Sequence, residues 1–263
     1  MDLGIRGKVA LVAGASRGLG MAVARGLAME GAKVAICARD GRALEETAAA
    51  IAGETGAEVL PCRADVSDPV QAKGFVQEAA SRFGAIHILV NNAGGPPSAT
   101  FLELSEEQWE AAFRLNFMSA ACLTREAVPH MRKVGWGRVI NMTSVAVKQP
   151  LEGLILSNAV RAAVIGFAKT LADELAPDKI TVNNVCPGYI LTDRVRELAS
   201  TVAARKGLRQ EEVFRQWEAS IPLRRLGSPE EFADLVVFLA SERAGYITGA
   251  TVQIDGGFYR GLM

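Results

Sequence analysis

The chain has 263 residues, 49% of them hydrophobic and 22% charged, which is enough apolar material for one large core in a single domain. Lysine plus arginine equals aspartate plus glutamate at 29 each, so there is no basic surplus to meet a phosphate backbone or an anionic leaflet. Nucleic acid and membrane are therefore set aside as partners. The opening residues, Met1 to Lys8, hold no apolar leader segment, so a cytoplasmic, unprocessed protein is expected.

Val9 to Ala13 is a short continuous apolar run that ends in Gly14-Ala15-Ser16-Arg17-Gly18-Leu19-Gly20, after which Met21, Val23, Ala24 and Leu27 recur at helical spacing. Strand, glycine turn and helix in succession form a phosphate-binding unit: glycines permit positive φ and let helix-start N–H groups approach a pyrophosphate. A second strand, Ala32 to Cys37, follows that helix, and a right-handed crossover makes the two parallel. Where an acidic residue would bind a ribose 2′-hydroxyl stands Ala38, followed by Arg39. Arg39 and Arg17, on adjacent loops of one crevice, suit a 2′-phosphate and favour NADP(H) over NAD(H).

Glu58 to Cys62 reads as the third strand and leads to Asp65-Val66, and Ser67-Asp68-Pro69 opens a helix through Phe83. Ile86 to Val90 is the fourth strand and runs into Asn91-Asn92-Ala93-Gly94. Ser105-Glu106-Glu107-Gln108 is a capping box, and a long helix is expected from about Asn116 to Val134. Gly137 to Thr143 is the fifth strand, ending at Ser144, and a well-patterned helix covers Ala159 to Leu175. The sixth strand is Ile180 to Val185, broken by Pro187-Gly188; Ser228-Pro229-Glu230-Glu231 caps a further helix, and Thr251 to Ile254 is the seventh strand. This alternation predicts an α/β fold: one domain over residues 1–263, a doubly wound parallel seven-stranded sheet of Rossmann type, with ligands at the carboxyl ends of its strands. Ile190 to Gly227 carries two helical patterns and is expected to act as a lid over a small-molecule substrate, with an oligomer contact as the alternative. Val213, Phe214 and Trp217 within it suit either an apolar pocket or plain core packing.

Cys37, Cys62, Cys122 and Cys186 have no C-x-x-C spacing and read as reduced residues, and no His, Cys or carboxylate cluster has metal-ligand spacing. His87 and His130 read as structural.

Taken together, Gly14-x-x-x-Gly18-x-Gly20, Asp65, Asn91-Asn92-Ala93-Gly94, Ser144, Pro187-Gly188-x-Ile190-x-Thr192 and Asp255-Gly256-Gly257 resemble the short-chain dehydrogenase/reductase family, in the branch that includes 3-oxoacyl-carrier-protein reductases. The resemblance spans essentially the whole chain. It implies that Gly14, Ser16, Gly18, Leu19 and Gly20 line the pyrophosphate, Asp65 and Val66 the adenine, and Asn92, Ala93 and Gly94 the ribose. It also implies that Pro187, Gly188, Ile190 and Thr192 hold the nicotinamide side, that Asn116 and Ser144 belong to a catalytic tetrad, and that the chain forms a homotetramer through its two long helices.

That tetrad's other half is a tyrosine thirteen positions after the serine and a lysine four further on. In this sequence those positions are Ser157 and Arg161, and Ala162-Ala163-Val164-Ile165-Gly166-Phe167 fixes the register. A serine hydroxyl is a far weaker acid than a phenol and shorter by a ring, while a guanidinium can bind ribose hydroxyls but does not act as an acid. Tyr189 and Lys148 are the nearby candidates for a substitute donor. Three readings follow: an NADP(H)-dependent oxidoreductase with an atypical proton relay, a catalytically impaired dinucleotide-binding sensor or regulatory protein, and non-redox lyase or isomerase chemistry on the same scaffold.

Overall fold

The sheet grows from strands that are apolar along their whole length. In the computed structural model, which describes residues 1–262, β1 (Val9–Ala13) is buried at all five positions because helices cover both faces of the sheet. Side chains alternate between those faces along each strand. Ala10 and Val12, with Val34 and Ile36, pack against one helical layer; Leu11 and Ala13, with Ala35 and Cys37, pack against the other.

The elements are β1, α1 (Gly18–Met29), β2 (Lys33–Ala38), α2 (Gly41–Thr55), β3 (Val59–Arg63), α3 (Pro69–Phe83), β4 (Ile88–Asn91), α4 (Glu106–Phe113), α5 (Ser119–Val134), β5 (Gly137–Met142), α6 (Ile155–Leu175), β6 (Ile180–Pro187), α7 (Asp193–Lys206), α8 (Gln210–Ser220), α9 (Pro229–Leu239) and β7 (Thr251–Ile254). All seven strands are parallel in the order β3-β2-β1-β4-β5-β6-β7. The order reverses direction between β1 and β4, which opens a crevice at their carboxyl ends. Helices α1, α2 and α9 cover one face, and α3, α5 and α6 the other.

The expected elements form, with ends shifted by one or two residues, and two helices differ more. Asn116 does not begin a helix: α4 and α5 are one continuous rod, interrupted at Arg114–Met118 by a π-helical turn. Helix α6 starts at Ile155, a turn earlier than its pattern suggests, which brings Ser157 inside it. By length and composition the stretch Ile155–Asp178 could cross a membrane, yet Leu156, Val160, Val164, Ala168, Ala172 and Leu175 are buried. Its other face exposes Ala159, Ala162, Ala163 and Gly166.

The segment after β6 leaves and returns at one point. Leu191 N–H donates to Gly227 O at 2.9 Å, and Gly227 N–H donates to Tyr189 O at 3.0 Å. Helices α7 and α8 between them hold a small core of their own, Ala199, Ala203 and Val213, with Phe214 and Trp217 packed against it. Val213 is thus a core residue of this segment, with Phe214 packed against it. All four cysteines are free and buried, and His87 is structural, its Nδ1 accepting the Val9 N–H at 3.0 Å.

Candidate active site

A cleft of about 400 Å³ opens at the sheet's carboxyl edge, walled by the glycine turn, the loop after β4, the ends of β5 and β6, and helices α6 and α7. The turn is shaped by backbone that tolerates no side chain. Gly14 has φ +60°, and a Cβ on Gly20 would lie 2.3 Å from Gly14 O and 2.7 Å from Asn92 Nδ2. The turn's own packing therefore requires glycine at position 20, and the first N–H groups of α1 stay open to the cleft. Arg17 and Arg39 line the same cleft from its mouth, both exposed, with Arg39 directly after Ala38, the last residue of β2.

The loop after β4 is tied at four points. Asn92 Nδ2 donates back to the carbonyls of Ala13 and Gly14 at 3.1 and 3.0 Å. The carbonyls of Ala93, Gly94 and Pro96 accept from Arg161 at 3.5 Å, from Asn116 Nδ2 at 3.0 Å and from Arg194 at 2.7 Å. Asn116 reaches Gly94 from the π-turn, a helix defect that often re-aims a functional side chain. Its Oδ1, like that of Asn91, is buried with no partner among the described residues, and both asparagines border a small cavity beside Arg161. Buried polar atoms of this kind are uncommon.

Beneath the site a row of amides crosses four strands. Asn91 donates to Thr124 at 3.0 Å and to Asn141 at 2.8 Å; Asn141 donates to Asn184 at 3.0 Å, and Asn184 to Thr251 at 3.1 Å. Asn91, Asn141, Asn184 and Thr251 are register partners, so the sheet itself sets the row. Each Nδ2 donates to the next side chain in the row, which makes these buried groups tolerable and stiffens the strand ends, with Asn91 Oδ1 the amide oxygen of the row left unpaired among the described residues.

Ser144 follows β5, and its Oγ accepts the Ala146 N–H at 3.1 Å, capping a short turn at Val145–Val147. Ser157 and Arg161 stand one turn apart on the same face of α6. Ser157 is 7% exposed, borders the cleft and makes no side-chain hydrogen bond to another described residue. Arg161 Nη1 donates to the carbonyls of Met142 and Thr143 at 2.9 and 3.2 Å, and Nη2 reaches Ala93 O. The guanidinium thereby joins the ends of β4 and β5. Burial and, second, the neighbouring Arg194 pull its pKa down to about 10. It stays charged at neutral pH, and no carboxylate lies within ion-pair distance among the described residues.

Of the two substitute donors, Lys148 is drawn elsewhere: its Nζ donates to Gln253 at 2.8 Å and lies 5.6 Å from the centre of the Tyr259 ring, outside the cleft. Tyr189 does line the cleft, but it stacks on Trp217 at 4.4 Å and meets Phe258 edge-on at 5.3 Å. Burial pushes its hydroxyl up to about 12.

Most residues singled out in the sequence meet in this cleft: Gly14, Arg17, Gly18, Leu19, Gly20, Arg39, Asn92, Ala93, Gly94, Ser144, Ser157, Arg161, Pro187, Gly188, Ile190 and Thr192. Ser16, Asp65 and Val66 do not line it. The Ser16 carbonyl accepts the Thr47 hydroxyl at 2.9 Å, the Asp65 carboxylate accepts both the amide and the hydroxyl of Ser67, and Val66 is 8% exposed. Val145, Leu151, Leu154 and Arg194, which carry no sequence signal, complete the walls together with Val195 and Leu198 of the first helical pattern after β6. Their positions follow from how α7 and the turn before α6 fold over the strand ends.

The geometry fits a dinucleotide. The turn at Gly20 has no room for a Cβ, free helix-start N–H groups border the cleft, and Arg17 and Arg39 stand where anionic groups would need them.

Comparison with known proteins agrees with this geometry. The family model described as "Enoyl-(Acyl carrier protein) reductase" matches residues 14–259. The chain is 35% identical to a 3-oxoacyl-[acyl-carrier-protein] reductase of Aquifex aeolicus over 98% of its own length and 100% of that protein's. It is 38% identical to the corresponding reductase of Escherichia coli over 98% and 99%. Among solved structures it is similar to an L-sorbose reductase from Gluconobacter frateurii complexed with NADPH and L-sorbose, with TM-score 0.95, 38% identity and full coverage of both chains. It is also similar to YwfH, an NADPH-dependent reductase involved in bacilysin biosynthesis, with TM-score 0.93, 32% identity and coverage of 97% and 100%.

Proposed function

The chain belongs to the short-chain dehydrogenase/reductase family, and we propose that it is an NADP(H)-dependent enzyme that reduces a carbonyl to an alcohol through an atypical proton relay. The observation that carries this reading is one cleft joining the glycine turn, two arginines at its mouth, Ser144 and the Ser157/Arg161 face of α6. NADPH, when bound, supplies the hydride. Gly14, Gly18, Leu19 and Gly20 would hold its pyrophosphate, Asn92, Ala93 and Gly94 its ribose, and Pro187, Gly188, Ile190 and Thr192 the nicotinamide side. Arg17 and Arg39 would bind a 2′-phosphate, which supports NADP(H) over NAD(H). Asp65 and Val66, which stand outside the cleft lining, would take the adenine.

The chain's own residues then handle the oxygen. The hydroxyls of Ser144 and Ser157 orient the substrate carbonyl, and the positive charge of Arg161 lowers the energy of the oxyanion that develops on it. The oxyanion takes its proton from water in the cleft and leaves hydroxide to the buffer, so no side chain changes protonation state. Loss of a positioned acid removes about 10²–10⁴ of rate, and turnover slower by that factor is what this relay implies. Small ketones and acyl-chain 3-oxo compounds are the substrates considered.

NADPH oxidation by the purified protein over a panel of ketones and 3-oxoacyl thioesters tests the proposal. Tight NADPH binding with no turnover on any of them would leave the regulatory reading, which the engagement of Arg161 with three framework carbonyls supports. A homotetramer in the cytoplasm completes the proposal. The exposed small-residue face of α6 and the stacked Phe113–Phe117 pair, with Phe113 43% exposed, support that assembly. Light scattering at micromolar concentration should give four times the chain mass, and a monomer mass would contradict it.

A further inference from the structure

The cleft divides into two halves of different chemistry. Beyond the glycine turn its wall is mainly apolar, made by Val145, Leu151, Leu154, Val195, Leu198 and the ring of Tyr189. That ring is held rigid from behind by Trp217 and Phe258. Against this wall stand two guanidinium groups that grip the same loop from two elements: Arg161 on α6 through Ala93 O, Arg194 on α7 through Pro96 O. Three residue steps, through Gly94 and Gly95, separate those carbonyls, so no more than about 11 Å of chain lies between them. The cations are near enough that Arg194 helps to depress the Arg161 pKa.

The charges around them do not balance. The cleft's lining carries Arg17, Arg39, Arg161 and Arg194 against Asp193 and Glu197. Among the described residues Arg161 has no carboxylate partner, and Arg194 has only Glu197, an exposed i,i+3 pair at 3.8 Å that holds it weakly. Like charges brought together at low dielectric raise each other's energy unless an anion sits between them. Arg194 is 46% exposed at its side chain and retains free donors, since Nη2 alone is fixed on Pro96. Ser157, where a longer side chain would occupy this side of the cleft, leaves room.

We propose that the substrate carries a carboxylate on an apolar body, and that Arg194, with the charge of Arg161 behind it, is the residue that selects for it. The inference rests on reading this cleft as the substrate site of a reductase, and it narrows the substrate class from carbonyl compounds in general to oxo acids. The apolar wall takes the body of the molecule, while the guanidinium of Arg194 supplies charge-assisted hydrogen bonds to the carboxylate.

An isosteric pair isolates the charge. Cyclohexanecarboxylate and cyclohexanecarboxamide are titrated calorimetrically into the full-length protein, alone and with saturating NADPH. The carboxylate should bind about tenfold tighter or more, the scale of one charge-assisted contact. In Arg194→Gln, checked for folding by circular dichroism, the ratio should fall to about twofold or less. Glu197→Gln, which removes the ion-pair partner of Arg194, should raise the ratio, and this second variant decides the matter if Arg194→Gln does not fold. Equal affinities in the wild type, an unchanged ratio in either folded variant, or displacement of the carboxylate by NADPH would each overturn the proposal, the last by showing that these arginines read the cofactor's phosphates. A carboxylate preference that follows Arg194 in a protein that fails to bind NADPH would uphold this inference and sink the cofactor assignment instead.

Discussion

Replacing Gly20 with alanine pits two effects of opposite sign against each other. Gly20 lies in the first turn of α1, and alanine is favoured over glycine within a helix by about 0.8–1.0 kcal/mol. Against this, the added Cβ would stand 2.3 Å from Gly14 O, 2.7 Å from Asn92 Nδ2 and 3.0 Å from Ala15 Cα. Two of those atoms are backbone, and the third belongs to a side chain already bonded to Ala13 O and Gly14 O, so nothing there can swing aside. Overpacking of this kind costs about 1–3 kcal/mol, which offsets the helix gain and leaves a net loss of roughly 0–2 kcal/mol. For a domain of this size that lowers Tm by up to roughly 8 °C. The turn must open to admit the methyl group, so NADPH affinity should fall at least about tenfold, the equivalent of roughly 1.4 kcal/mol. Gly74→Ala is the matched control: Gly74 is exposed in α3 with nothing within 4 Å of the added Cβ, so the same substitution should stabilise by up to about 1 kcal/mol. Differential scanning calorimetry and NADPH fluorescence titration read both variants. If Gly20→Ala melted higher than wild type, or bound NADPH unchanged, the cradle account of the turn would be wrong.

Arg39→Ala should weaken NADPH binding by about tenfold or more while NADH changes little, as expected for loss of one charge-assisted phosphate contact; equal losses for both cofactors would remove the 2′-phosphate assignment. Ser144→Ala should reduce kcat by about 10²–10³ with NADPH affinity nearly unchanged, as for loss of one oxyanion donor. Because Ser144 also caps the Val145–Val147 turn, the same variant should lose about 1 kcal/mol in a urea melt. Ser157→Tyr combined with Arg161→Lys is expected to bind substrate less well and turn over no faster, since the guanidinium that ties Met142, Thr143 and Ala93 together is lost with it. Steady-state assays on the best ketone of the panel would show this, and a marked rise in kcat would mean that the usual proton relay had merely been damaged.

The strands, most of the helices and the glycine turn were legible in the sequence because their signals are local. Continuous apolar runs such as Val9–Ala13 mark strands buried on both faces, and the spacing of Met21, Val23, Ala24 and Leu27 marks the helix that follows. The same one-dimensional register exposed the chemical departure at Ser157 and Arg161, since a residue counted from a fixed motif needs no coordinates. Helix α2 and the early start of α6 carried weaker marks.

What the sequence could not reveal depends on contacts between residues far apart in the chain. The strand order puts β1 beside β4 and so brings Gly14 to within hydrogen-bond reach of Asn92. The π-turn at Arg114–Met118 shares its local pattern with an ordinary helix and is visible only in how Asn116 meets Gly94. The amide row from Asn91 to Thr251 exists because four strands fall into one register. Val213 and Phe214, which suited a pocket or a core equally well, are drawn into the small core between α7 and α8 by the way those helices fold together. Arg194 carries no signal of its own in the sequence; it is α7 that places it against the loop after β4. Residue identity fixed which chemistry was available to this chain, but only packing determined that two arginines 33 positions apart face one cleft, because proximity across elements is set by sheet order and crossover geometry, to which local spacing is blind.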